Sequence, residues 1–180
     1  MIRLPRTIRL DPSDTLIFPA AAEPGEWAVP GGFLFWDDDE TTLVGKRRQA
    51  FRAGFLGLGS FGWSTLVEVA EASAEDRAAA HAALADFLRR CFGAPDAAAA
   101  AAAAEEEIAF AQSLCADHPP GTVLALERRI EGTTQRERFR TLQRRSEPHR
   151  SFHSLPVFGI VQVDGEEEAG AAEQVDLTRL

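Results

Sequence analysis

The stretch Thr122-Val123-Leu124-Ala125-Leu126-Glu127-Arg128-Arg129-Ile130-Glu131-Gly132-Thr133-Thr134-Gln135-Arg136-Glu137-Arg138-Phe139-Arg140-Thr141-Leu142-Gln143 decides the fold. It reads as two β segments, 122–131 and 134–143, joined across Gly132-Thr133. A two-residue turn between Glu131 and Thr134 sets the register. One face then pairs Leu126 with Phe139, Leu124 with Thr141, and Arg128 with Glu137. The other pairs Glu127 with Arg138 and Arg129 with Arg136, and adds Arg140. A slip of one residue would mix the faces, so their chemical consistency supports this pairing.

Upstream, Ser73 followed by Asp76 caps a helix running to Phe92, with Ala80, Leu84, Phe87, Leu88 and Cys91 at helical spacing. Gly93-Ala94-Pro95-Asp96 breaks it and opens a second helix to about Asp117. Alanine is the best helix former, so the run at 97–104 is read as helix. A four-residue link implies antiparallel neighbours, packed through Leu84, Leu88, Ile108 and Ala111. Earlier still, Leu4–Leu10 and Ser64–Val69 read as strands, Leu16–Phe18 as a short one, and Leu43 to about Leu56 as a helix with Val44, Phe51 and Phe55 on one side. Trp27–Val29 and Phe33–Trp36 flank Pro30-Gly31-Gly32 as a hairpin or tight turn, and Val157–Val163 is an apolar run expected as a buried strand. Strands, helices and strands fall in blocks, the α+β pattern: an antiparallel sheet of several short strands with an antiparallel helix pair packed on it. The expected organisation is one domain over 1–163 and an acidic, disordered tail over 164–180.

Composition narrows the function classes. The chain has 180 residues and a net charge of -9, and 31 Ala inflate its 45% apolar content. No apolar run reaches the ~18 residues of a membrane span, and the N-terminus lacks the apolar core of a secretory signal. Two cysteines, Cys91 and Cys115, support neither a disulfide framework nor a four-ligand zinc site. On the apolar stripes of antiparallel helices they would lie ~30 Å apart, as buried inert thiols. A cytoplasmic protein with reduced thiols is expected, and the acidic balance argues against a nucleic-acid partner. The sequence sets no oligomeric state.

Most motifs with a chemical look fail on context. Gly57-Leu58-Gly59-Ser60-Phe61-Gly62 matches the dinucleotide fingerprint as a string. That mechanism needs a strand before and a helix after, whereas here a helix precedes and a strand follows, so a glycine-rich turn is expected. Trp27-Ala28-Val29-Pro30-Gly31-Gly32 resembles the opening of the Nudix hydrolase box. The helix after it offers Lys46, Arg47, Arg48 and Arg52 where that family needs carboxylates for Mg²⁺, so the enzyme is rejected and the turn kept. His149 and His153 are four apart but bracketed by Pro148 and Pro156 with no third ligand nearby; no metal and no cofactor are expected. Trp27, Trp36 and Trp63 are read as core aromatics.

Charge is the remaining signal. Residues 127–150 hold eight Arg and four Glu, a local +4 that leaves -13 on the rest of the chain. Strand alternation gathers Arg129, Arg136, Arg138 and Arg140 on one face, and arginine's planar fork suits phosphate, carboxylate or an acidic protein surface. The competing reading is a solvated hairpin whose charges protect its edge. A second basic surface, Lys46 and Arg47, opposes the dipole of its own helix. An anion would relieve this, and so would Asp37–Glu40 folding back, which is favoured.

The segments Arg6-Thr7-Ile8-Arg9-Leu10-Asp11-Pro12-Ser13-Asp14, Glu23-Pro24-Gly25-Glu26-Trp27-Ala28-Val29-Pro30-Gly31-Gly32-Phe33, Gly54-Phe55-Leu56-Gly57-Leu58 and Phe61-Gly62-Trp63-Ser64 resemble an uncharacterised proteobacterial family classed only as a domain of unknown function. The likeness runs from about Arg6 to Leu142 and implies no activity. Two functional readings follow. The first is a non-catalytic binding or accessory protein that sets its arginine face against an acidic protein surface or a small anion. The second is a small enzyme acting on an anionic metabolite, with arginine clamps and His149 or His153 as acid–base. A deep apolar pocket holding Arg and His together would favour the enzyme, and a flat arginine surface the partner.

Overall fold

The computed structural model describes residues 1–144 and 158–162, with 143, 144 and 158–162 as backbone alone. In chain order the elements are β1 (Ile2–Ile8), α1 (Ser13–Ile17), β2 (Ala28–Val29), a 3-10 turn (Gly32–Phe35), α2 (Gly45–Ala53), β3 (Phe55–Gly57), β4 (Trp63–Ser64), β5 (Leu66–Ala72), α3 (Ala74–Cys91), α4 (Ala97–Cys115), β6 (Val123–Glu131), β7 (Thr134–Arg144) and β8 (Phe158–Gln162). An antiparallel sheet runs in the order β1-β5-β6-β7-β8, and a small one in the order β2-β3-β4. The two meet at the edge of β1, where Thr7 exchanges backbone hydrogen bonds with Glu26 and Gly25, each 2.8 Å. Pro5 sits in that edge strand, where a missing ladder donor is tolerated.

The α+β reading therefore holds, and the helix pair packs as expected. Ser73 and Asp76 form a reciprocal capping box at the start of α3, and Asp96 accepts from the Ala99 N–H at the start of α4. Acids in the first turn of α3 and Arg89 and Arg90 in its last complement the helix dipole. Leu84, Leu88, Ile108 and Ala111 are all buried in one core cluster with Leu4, Phe35 and Leu56. Burying each large one contributes about 1.5–3 kcal/mol, and the alanine face of α4 (Ala100, Ala104, Ala111) lets the helices approach closely. Arg77 straps the pair by reaching Glu105 and Gln112. A second cluster, Phe55, Val67, Val69, Leu124, Leu126 and Cys115, fills the space around β5 and β6.

Several local expectations are corrected. Leu16 and Ile17 belong to a short helix and not a strand: Ser13 donates to Asp11, and the buried Asp14 carboxylate accepts from the Thr65 N–H and hydroxyl, which pins one helical turn. The helix expected over 43–56 is shorter. Val44 is exposed at its N-cap and Phe55 already lies in β3. Of a hairpin and a tight turn at Pro30-Gly31-Gly32, the hairpin is excluded, because Gly32–Phe35 form a 3-10 turn. Trp63 is a core residue, whereas Trp36 is 73% exposed. Cys115 is buried but Cys91, in the last residue of α3, is exposed. Val157–Val163 contains β8, whose burial lies outside the described residues, as does the expected tail.

Candidate anion-binding surfaces of the hairpin

The hairpin adopts the expected register throughout, including Leu126 opposite Phe139, Glu127 opposite Arg138 and Arg129 opposite Arg136. Its inward face holds the first surprise. Arg128 points into the protein with its side chain 0% exposed. Its Nε donates to Glu137 at 2.7 Å, and one terminal nitrogen donates to the carbonyls of Phe51 and Gly54, each 2.9 Å. The other donates to the Pro30 carbonyl. Arg128 thus satisfies carbonyls at the C-terminal end of α2, where a cation is favoured, and it ties α2 and the Pro30 turn to β6. Burial pulls its pKa below the usual value and Glu137 opposes that; an arginine stays charged regardless. A Cβ on Gly32 would meet the Glu137 carboxylate at 2.7 Å, so the Gly-Gly turn is shaped to dock on this pair. Glu107 of α4, half-buried, lies in the field of both. Burial first and the charge of Glu137 second push its pKa up to about 7, against the pull of Arg128.

The opposite face carries the arginines, and most are paired at home. Arg129 and Arg136 both engage Glu131, at 2.7 and 3.2 Å, and Arg140 engages Glu127 at 3.0 Å. Glu127 reaches diagonally to Arg140 and not straight across to Arg138. Among the described residues Arg138 alone of the four has no carboxylate partner. The four line an open groove of about 630 Å³ that also takes in Phe110 of α4 and Asp117 and His118 of the turn after it. Phe110 meets Phe139 edge-on at 5.8 Å.

The second expected surface is resolved within the chain. Arg47 pairs with Asp38, which holds the Asp38 carboxyl below the usual carboxylate range, and its guanidinium lies 5.1 Å from the Phe35 ring centre. The Asp37–Glu40 segment does fold back, as favoured from the dipole argument. Lys46 has no ion-pair partner among the described residues. His149 and His153 lie outside the described residues.

The model of a family of unknown function, DUF6505, matches residues 1–157. The chain belongs to that family. Neither the curated proteins nor the solved structures give a match.

In this member of DUF6505 the Gly-rich string is a nest filled from inside. The Glu26 carboxylate accepts from the backbone N–H of Gly59 and Ser60, both 2.9 Å, and of Glu23. The string joins two strands, β3 and β4, so the helix expected before it is corrected as well; α2 ends before β3. No helix among the described residues is long and apolar enough to cross a membrane. Sequence reasoning placed Arg128 beside Glu137 but missed its carbonyl partners, and it named Arg48 and Arg52 without seeing what they face. The usable signal was an arginine on an otherwise apolar strand face.

Proposed function

We propose that this is a non-catalytic binding or accessory protein of the bacterial cytoplasm that sets the arginine face of its hairpin against an acidic protein surface. One observation carries the reading: strand alternation gathers Arg129, Arg136, Arg138 and Arg140 on one side, with Arg138 unpaired among the described residues at the centre. The aromatic pair Phe110 and Phe139 beside them supplies the apolar contact that protein interfaces favour. The groove also holds His118, which is what an enzyme would want. That imidazole has no orienting partner among the described residues, and a general base needs one.

The test uses an acidic peptide, polyglutamate, titrated by fluorescence anisotropy at rising salt. Wild type should bind weakly, with an affinity that falls as salt screens the charges. The triple substitution Arg136→Gln, Arg138→Gln, Arg140→Gln should weaken binding at least tenfold and flatten the salt dependence. Unchanged binding of the triple variant at every ionic strength reduces the face to a solvated hairpin.

A further inference from the structure

β5 pairs with β6 only at residues 123–125 of β6, so among the described residues no strand pairs with the far half of β6 on that side. α2 packs against β6, where Arg128 donates to the carbonyls of Phe51 and Gly54. Between them lies a depression of about 560 Å³ that shares only Arg129 with the hairpin groove. Arg48 and Arg52, on successive turns of α2, line it together with Arg128, Arg129 and Ile130 of β6. The buried Leu43 and Phe51 add apolar lining, and Glu40 adds a carboxylate.

The charge distribution here differs from that of the hairpin groove. There, Glu127, Glu131 and Glu137 pair with Arg140, with Arg129 and Arg136, and with Arg128. Here, neither Arg48 nor Arg52 has a hydrogen-bond or ion-pair partner among the described side chains. Two unpaired guanidiniums four residues apart on a helix repel each other, and they do so on a chain of net charge -9. A shared anion removes the conflict. Forked guanidiniums match a tetrahedral oxyanion. The volume falls in the range of small-molecule sites, and Leu43, Phe51 and Ile130 give it apolar lining.

We propose that this depression binds a phosphate group, either as the free ion or as the monoester of a small organic molecule whose body rests on Leu43, Phe51 and Ile130. The site shares Arg129, which pairs with Glu131, with the hairpin face, and the two are told apart by substitutions that leave Arg129 in place. Titrate the full chain by calorimetry at low salt with phenyl phosphate and with inorganic phosphate. Wild type should bind phenyl phosphate with one site per chain. Arg48→Gln with Arg52→Gln should weaken it at least tenfold while circular dichroism and Tm stay at wild-type values. Arg48→Lys with Arg52→Lys keeps the charge but loses the fork, and should fall between the two. The hairpin triple variant should bind phenyl phosphate as wild type does. Tenfold tighter binding of phenyl phosphate than of inorganic phosphate assigns the ester, and equal binding assigns the free ion. The site is overturned if wild type binds neither compound, if the folded double variant binds as wild type, or if the hairpin variant loses the phosphate equally.

Discussion

Replacing Arg128 with Met keeps much of the volume and removes every polar contact of the guanidinium. The carbonyls of Phe51, Gly54 and Pro30 lose a donor, and Glu137, whose side chain is only 22% exposed, loses its counter-charge. A buried acceptor left unmade costs about 1–3 kcal/mol, though water reaching the vacated end recovers part of it. Breaking a buried ion pair from one side typically costs about 3–5 kcal/mol, and that is the loss expected. For a domain of this size each kcal/mol lowers Tm by about 2–4 °C, so Tm should drop by about 6–20 °C. Urea denaturation should show the midpoint falling at unchanged slope. Adding Glu137→Leu removes the stranded carboxylate and should return part of the loss, with a coupling of about 0.5–3 kcal/mol. A loss under about 1 kcal/mol for Arg128→Met at unchanged slope would show that α2 and the Pro30 turn are held by packing alone.

Glu107 gives a pH signature. Its folded pKa of about 7 exceeds the ordinary 4.5, so the folded chain binds more protons between those values and stability falls as pH rises through that window. Glu107→Gln should be near neutral at pH 4.5 and stabilising by about 1–3 kcal/mol at pH 8; a Tm difference that is flat with pH rules the argument out. Glu26→Ala strips the acceptor from three backbone N–H groups and should cost about 2–3 kcal/mol, measured by urea midpoint, where a loss near zero would mean the nest holds itself. In the native protein a thiol reagent should modify Cys91 and spare Cys115, which is buried with its pKa pushed up to about 12; two thiols reacting at equal rates would contradict the burial.

Much of the fold was legible because the signals were local. Ser73 with Asp76, Asp96 before the alanine run, and Gly132-Thr133 between alternating segments each act within a few residues, and each determined an element and its bounds. The hairpin register followed from turn length and alternation alone, and with it the membership of the arginine face. Tertiary structure decided what those arginines do. Arg128 meets carbonyls 74 to 98 positions earlier in the chain, and no local pattern reports a contact at that separation. Whether an arginine is paired depends on side-chain reach: Glu127 takes Arg140 diagonally and Glu131 takes two neighbours, leaving Arg138 over. Arg48 and Arg52 share a depression with Arg129 and Ile130 only because α2 packs against β6. Sequence by itself determined which residues share a strand face or a helix turn, since backbone periodicity is a property of the chain. Only packing decided which of those charges were spent on the protein and which were left facing solvent, because that depends on elements brought together from distant parts of the sequence.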